Sequence, residues 1–183
     1  MKLNKLFMTA AILLFGSGIC SAQQKLDIES VVNGQFIQTK GTGAMTWLKD
    51  GERYSRMEPN EQAGGMDVVA YNAKDNKREV MINSSMFICK ATGKAIPVRS
   101  ISWSPNNSRV LVYTNTQRVW RYDTRGDYWV LTLTSGSFHQ LGVGLPESSL
   151  MFAKFSPDGT RVAYVSNNNL YVEGIVFGAF HPI

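Results

Sequence analysis

Only two cysteines and two histidines occur among the 183 residues, and that scarcity removes several kinds of chemistry. Cys20 falls in a leader-like segment, so Cys89 stands by itself in the remainder and no internal disulfide can form, even in an oxidising compartment. Cys89 reads as a small buried apolar side chain among Phe87, Ile88 and later strands rather than as a nucleophile. No cluster of His, Cys or closely spaced carboxylates offers a metal site, and no cofactor motif is present. Past residue 22, no run approaches the roughly 20 apolar residues that a membrane-crossing helix needs. Positive charge is also thin: the formal net charge is +5, of which Lys2 and Lys5 supply two. The remaining basic residues are spread between strands, without the clustered stripe and stacking aromatics that nucleic-acid binding requires.

What is present begins with a leader. Residues 1–22 carry two lysines, an apolar run from about Leu6 to Phe15 and small residues ending at Ala22. This is the pattern of a secretory signal peptide cleaved between Ala22 and Gln23, and it predicts export to the periplasm or the extracellular space. Ile19 spoils the small-residue site that a lipid anchor on Cys20 would need. Residues 23–43 follow as a helix and linker: Leu26 to Val32 can form a short helix, with Asp27 and Glu29 suited to its first turn.

From residue 44 the chain repeats. A large aromatic, a polar turn and a strand with a basic start recur as TWLKDGERY from Thr46, SWSPNNSRV from Ser102 and KFSPDGTRV from Lys154. Trp47, Trp103 and Phe155 anchor the copies at the period of one four-stranded propeller blade. The expected fold is therefore all-β: an incomplete propeller of about three four-stranded antiparallel blades over residues 44–173, with the three aromatics buried as blade core. Strands are expected around Ala44 to Leu48, Glu52 to Met57, Asp67 to Asn72 and Glu79 to Cys89. In the second repeat, RVLVYTNT, RVWRYDT and DYWVLTLT read as separate short strands bounded by turn residues. Arg125-Gly126-Asp127 reads as a turn between two of them. Asn83 and Asn106 begin tripeptides that fit glycosylation acceptors.

One combination is more specific than the repeat. SPDGTRVAYVSNNNLYVE, preceded by SSLMFAKF and by NTQRVWRYDTRGDYWV, resembles the N-terminal propeller of dipeptidyl peptidase IV and its relatives in the prolyl oligopeptidase family, over roughly Asp27 to Glu173. The resemblance implies an eight-bladed propeller capping an α/β-hydrolase domain that removes dipeptides from peptide N-termini. Trp120-Arg121 matches the family's Trp-Arg, where the arginine reaches a carbonyl of the bound dipeptide; a planar guanidinium suits that task. Arg121 reads equally as a surface arginine paired with Asp123. The family's paired glutamates, which hold the substrate ammonium, have no counterpart in this sequence, and Glu173 is a strand-end residue.

The hydrolase machinery is also missing. No G-x-S-x-G elbow occurs, His139 sits at a strand end, and His181 has no serine arranged for it. No residue is therefore assigned a catalytic role, and the chain alone is expected to be inactive. Residues 174–183, GIVFGAFHPI, have no charge and no turn residues in the expected places, and read as an atypical tail rather than as a strand edge or cap. Two functions fit. The first is the propeller fragment of a secreted dipeptidyl peptidase IV-like serine peptidase, its parent acting on peptides. The second is a free-standing periplasmic module that binds a peptide or protein.

Overall fold

A computed structural model describes residues 27–34, 43–175 and 180–182. The expected leader lies outside these residues. The chain divides into two compact units, residues 1–41 and 42–183. In the first, helix α1 (Ile28–Val32) starts later than the expected Leu26, because Asp27 stands outside the first turn and caps the helix by accepting the Ser30 amide at 2.8 Å.

The second unit is nearly all β. Three four-stranded antiparallel sheets follow one another in chain order. The first comprises β1 (Met45–Trp47), β2 (Arg53–Pro59), β3 (Met66–Asn72) and β4 (Arg78–Ile82). β5 (Ser100–Trp103), β6 (Arg109–Val119), β7 (Tyr122–Thr132) and β8 (Ser137–Gln140) form the second. The third holds β9 (Met151–Phe155), β10 (Arg161–Ser166), β11 (Asn169–Gly174) and β12 (Phe180–Pro182). These are blades of a β-propeller.

The repeat seen in the sequence is a repeated turn. Between the first two strands of each blade, the amides of Gly51, Asn107 and Gly159 donate back to the carbonyls of Leu48, Ser104 and Ser156. Gly51, Asn107 and Gly159 all have positive φ, which explains Gly, Asn and Gly at that place. Asp50, Asn106 and Asp158 each accept an amide two residues on, from Glu52, Ser108 and Thr160. The Ser156 hydroxyl and Thr160 hold the Asp158 carboxyl down at about 2. Asn106 thus serves the turn.

Strand alternation divides the core between neighbouring blades. On β6, Val110 and Val112 face the first blade and join Val68, Ile82 and Phe87, while Leu111 faces the third and joins Val162 and Tyr164. Leu131 and Val130 divide in the same way. Glu173 of β11, also buried, accepts the Gly142 amide at 3.0 Å and the Tyr164 hydroxyl at 3.2 Å, fastening the third blade to the loop after β8. Burial, followed by the nearby Glu173 carboxylate, pushes the Tyr164 phenol well up.

Four expectations need correction. Trp47, Trp103 and Phe155 do occupy equivalent positions, each closing the first strand of its blade, but Trp103 and Phe155 are wedges between blades rather than blade core. The Trp103 indole packs against the first blade and donates to the Ser55 hydroxyl at 2.7 Å, and Phe155 packs against the cluster around Leu111. Trp47 has no preceding blade among the described residues and is 61% exposed.

Glu79 to Cys89 is not one strand group: β4 ends at Ile82 and a 3-10 turn spans Ser84–Phe87. Asn83 accepts the Ser85 amide, a local bond that competes with strand pairing, and Asp67 of β3 accepts the Ser84 amide. RVWRYDT is no separate strand, because β6 and β7 run on to become one long hairpin. Finally, Phe180–Pro182 pair with Tyr171–Glu173 as the fourth strand of the third sheet, since backbone pairing requires neither charge nor turn residues.

Candidate functional site

The second blade is asymmetric, and its asymmetry builds the site. β6 and β7 have eleven residues each, yet β5 covers only Val110–Tyr113 and β8 only Trp129–Thr132. From Thr114 to Asp127 the hairpin therefore continues past the four-stranded sheet as a two-stranded arm. Its ladder slips twice, between Thr114 and Gln117 and between Gln117 and Arg118. Such bulges twist and re-aim a ribbon. The pair Val119 and Tyr122 closes the ladder, leaving Trp120-Arg121 as the two-residue tip.

The base of this arm is fixed from three sides. The Tyr113 hydroxyl reaches the carbonyl oxygens of Asp123 at 3.0 Å and Arg125 at 2.9 Å, and its ring stacks on Tyr128 with centroids 4.6 Å apart. Burial pushes both phenols up, Tyr128 to about 12. Gly126 and Leu150 exchange a pair of backbone hydrogen bonds, each 3.0 Å. The buried Asp127 carboxylate accepts the Ser148 amide and the Asn115 side-chain amide, both at 2.7 Å. A cavity of about 330 Å³ adjoins this base, lined in part by Pro97, Asn115, Asp127 and Glu147. With both Asp127 oxygens engaged, that buried carboxylate is structural.

Arg125-Gly126-Asp127 is thus mid-strand, not a turn. Glycine is required there because a Cβ would lie 2.5 Å from the Tyr113 ring and 2.6 Å from the Thr114 carbonyl oxygen. A glycine inside an otherwise strand-like run was the available signal for this close approach.

At the tip, Trp120 is 94% exposed with φ +63, and Tyr122 is 73% exposed. Positive φ at a non-glycine costs on the order of 1–3 kcal/mol. Arg121 is exposed as well. The alternative in which it pairs with Asp123 is not seen: the described arginine that bonds that carboxylate is Arg99, at 3.1 Å. Among the described residues Arg121 makes no ion pair. Neither Arg99 nor Tyr113 stood out in the sequence, since their roles depend on the arm folding back over them.

The remaining candidates have structural settings. Cys89 is buried beside a turn, where the Thr92 hydroxyl and amide lower its thiol pKa. His139, on β8, is half-buried, and burial holds its imidazole below the ordinary 6.5, with the Glu173 carboxylate partly opposing. The unfolded chain then binds a proton more readily than the folded one as pH falls through 6.5, so stability should decline with falling pH below about 7. Urea unfolding at pH 7.5, 6.5 and 5.5 should show that slope, and His139→Gln should flatten it. An unchanged slope in the variant would assign the effect to other groups.

Comparison with known proteins places this geometry. The family described as the dipeptidyl peptidase IV (DPP IV) N-terminal region matches residues 104–181, which include the whole arm. Dipeptidyl aminopeptidase B of Saccharomyces cerevisiae is 34% identical over 151 residues, covering 78% of this chain and 17% of the relative. A probable dipeptidyl-aminopeptidase B of Aspergillus niger is 26% identical, covering 91% of this chain and 19% of the relative. The chain thus spans under a fifth of the length of these curated relatives. Its fold matches the crystal structure of Porphyromonas gingivalis dipeptidyl peptidase 4 with a TM-score of 0.69 at 20% identity, over 87% of this chain and 22% of that one. Over residues 104–181, then, this chain carries the dipeptidyl peptidase IV (DPP IV) N-terminal region, and its blades are those of a β-propeller.

Proposed function

We propose that this chain is the propeller portion of an exported dipeptidyl peptidase IV-like serine peptidase, which removes dipeptides from peptide N-termini, and that it presents Arg121 to a carbonyl of the bound dipeptide. The observation that carries this reading is the arm itself: a hairpin braced at its base by Tyr113, Gly126 and Asp127, ending in an unpaired guanidinium. Directed N–H donors on a rigid support suit carbonyl recognition, since little side-chain or loop freedom is then lost on binding. Catalysis needs a nucleophile and base that this chain does not supply, so the propeller's part is positioning. Residues 1–22 support export as a cleaved leader.

The test starts with the DNA downstream of this reading frame. It should encode the paired glutamates and a G-x-S-x-G elbow, and a product joining the two should cleave a glycyl-prolyl reporter that the 183-residue chain leaves intact. In that product Arg121→Ala should lower kcat/KM by about 10- to 100-fold, the worth of one or two charge-assisted hydrogen bonds, with an unchanged melting temperature. An unrelated gene downstream, or full activity in the variant, would refute the proposal.

A further inference from the structure

The tip of the arm carries more than one guanidinium and one aromatic. Arg118, Arg121 and Arg125 are all exposed, and among the described residues none of them has an ion-pair partner. The one carboxylate at this end of the arm, Asp123, is already engaged by Arg99. Beyond residue 22 the whole chain has a net charge of only +3, so three unpaired arginines within eight residues concentrate charge where the sequence as a whole is nearly balanced. Pairing places Val119 and Tyr122 together on one face of the ribbon and Arg118 on the other. Trp120 projects from the end, almost wholly in solvent, on a strained backbone. An exposed indole at the tip beside unpaired cations makes a surface with both an apolar and an anionic demand.

We propose that the arm tip is a docking site for acidic peptide segments, deepening the reading of Arg121 above by naming the class of peptide it receives. Carboxylates of an extended peptide pair with Arg118, Arg121 and Arg125, and Trp120 at the tip covers its apolar side chains. The choice of occupant rests on charge complementarity: a neutral or basic peptide would leave the three guanidinium groups unmatched or repelled. Rigidity at the base adds to this, because Tyr113 and the Gly126–Leu150 pair fix the tip before a ligand arrives.

Labelled peptides of one length and framework, differing only in Glu, Gln or Lys at three positions, should be titrated into the full chain by fluorescence anisotropy. The Glu peptide should bind about tenfold tighter than the Gln peptide and weaken as salt rises from 50 to 300 mM, as expected for about three exposed charge pairs. The Lys peptide should bind weakest. Arg118→Gln combined with Arg125→Gln should remove most of the Glu preference, with circular dichroism confirming that the fold is kept. Equal binding of the three peptides, or no binding of any at millimolar concentration, would overturn the proposal. If Arg121→Ala weakened all three peptides alike and no Glu preference existed, the acidic class would fail and the carbonyl role of Arg121 would stand. A Glu preference and an affinity for every peptide that are both unaffected by Arg121→Ala would remove Arg121 from the site and with it the carbonyl reading, leaving Arg118 and Arg125 as the acidic-peptide contacts.

Discussion

Replacing Phe87 by alanine should cost about 3–5 kcal/mol of stability, the largest loss expected from any single truncation in this protein. Phe87 ends the 3-10 turn after the first blade, is almost fully buried, and meets Phe138 of the second blade edge-on with centroids 6.0 Å apart. Val68, Ile82, Val110, Val112 and Leu131 complete the same cluster. Removing the ring leaves a cavity at the seam between two sheets, whose backbones are tied by their own ladders and cannot collapse into it. A loss of this size is a large share of the 5–15 kcal/mol that holds a typical domain together, so the melting temperature should fall by about 10 °C or more. Urea unfolding is the direct measurement. A loss under about 1 kcal/mol would mean that the first two blades are not held by this cluster. Phe87→Leu should lose roughly half as much as Phe87→Ala, because most of the apolar contact survives.

Gly126→Ala should destabilise by about 1–3 kcal/mol and, more tellingly, disable the arm. The new methyl would sit 2.5 Å from the Tyr113 ring and 2.6 Å from the Thr114 carbonyl oxygen. Tyr113 can turn aside only by giving up its bonds to Asp123 and Arg125, and Thr114 is held opposite Asp127 in the ladder. The same methyl strains the Gly126–Leu150 pair that ties the arm to the third blade. Peptide binding at the tip should therefore be lost while the remaining sheets still give a cooperative melt. Combining Gly126→Ala with Tyr113→Leu relieves the ring contact but not the carbonyl contact, so the double variant should recover part of the stability and little of the binding. Wild-type binding in Gly126→Ala would show that the tip does not depend on the base, and that the arm is a flexible ribbon instead.

Much of this fold was legible because propeller blades depend on local rules. Asp or Asn followed by Gly or Asn writes the left-handed turn directly into the sequence at Asp50-Gly51, Asn106-Asn107 and Asp158-Gly159. Alternation of Val and Leu along β6 marks a strand buried on both faces. Arg121 stands out in the sequence only through the resemblance of its Trp-Arg pair. What such rules omit is which element lies against which face. The three anchoring aromatics look alike in sequence, yet Trp103 bonds Ser55 of the neighbouring sheet while Trp47 is mostly exposed among the described residues.

The sequence by itself determined the all-β class, the blade period, its turns and the helix cap, since each arises from residues within a few positions of one another. Tertiary structure alone decided that RVWRYDT is the end of an arm, that Gly126 is needed by a tyrosine thirteen residues earlier, and that Asp123 belongs to Arg99 and not to Arg121. It likewise made a fourth strand of Phe180–Pro182 by offering the free edge of β11. Those outcomes depend on contacts between residues distant in sequence, and the energy of a contact is undefined until packing chooses the partner.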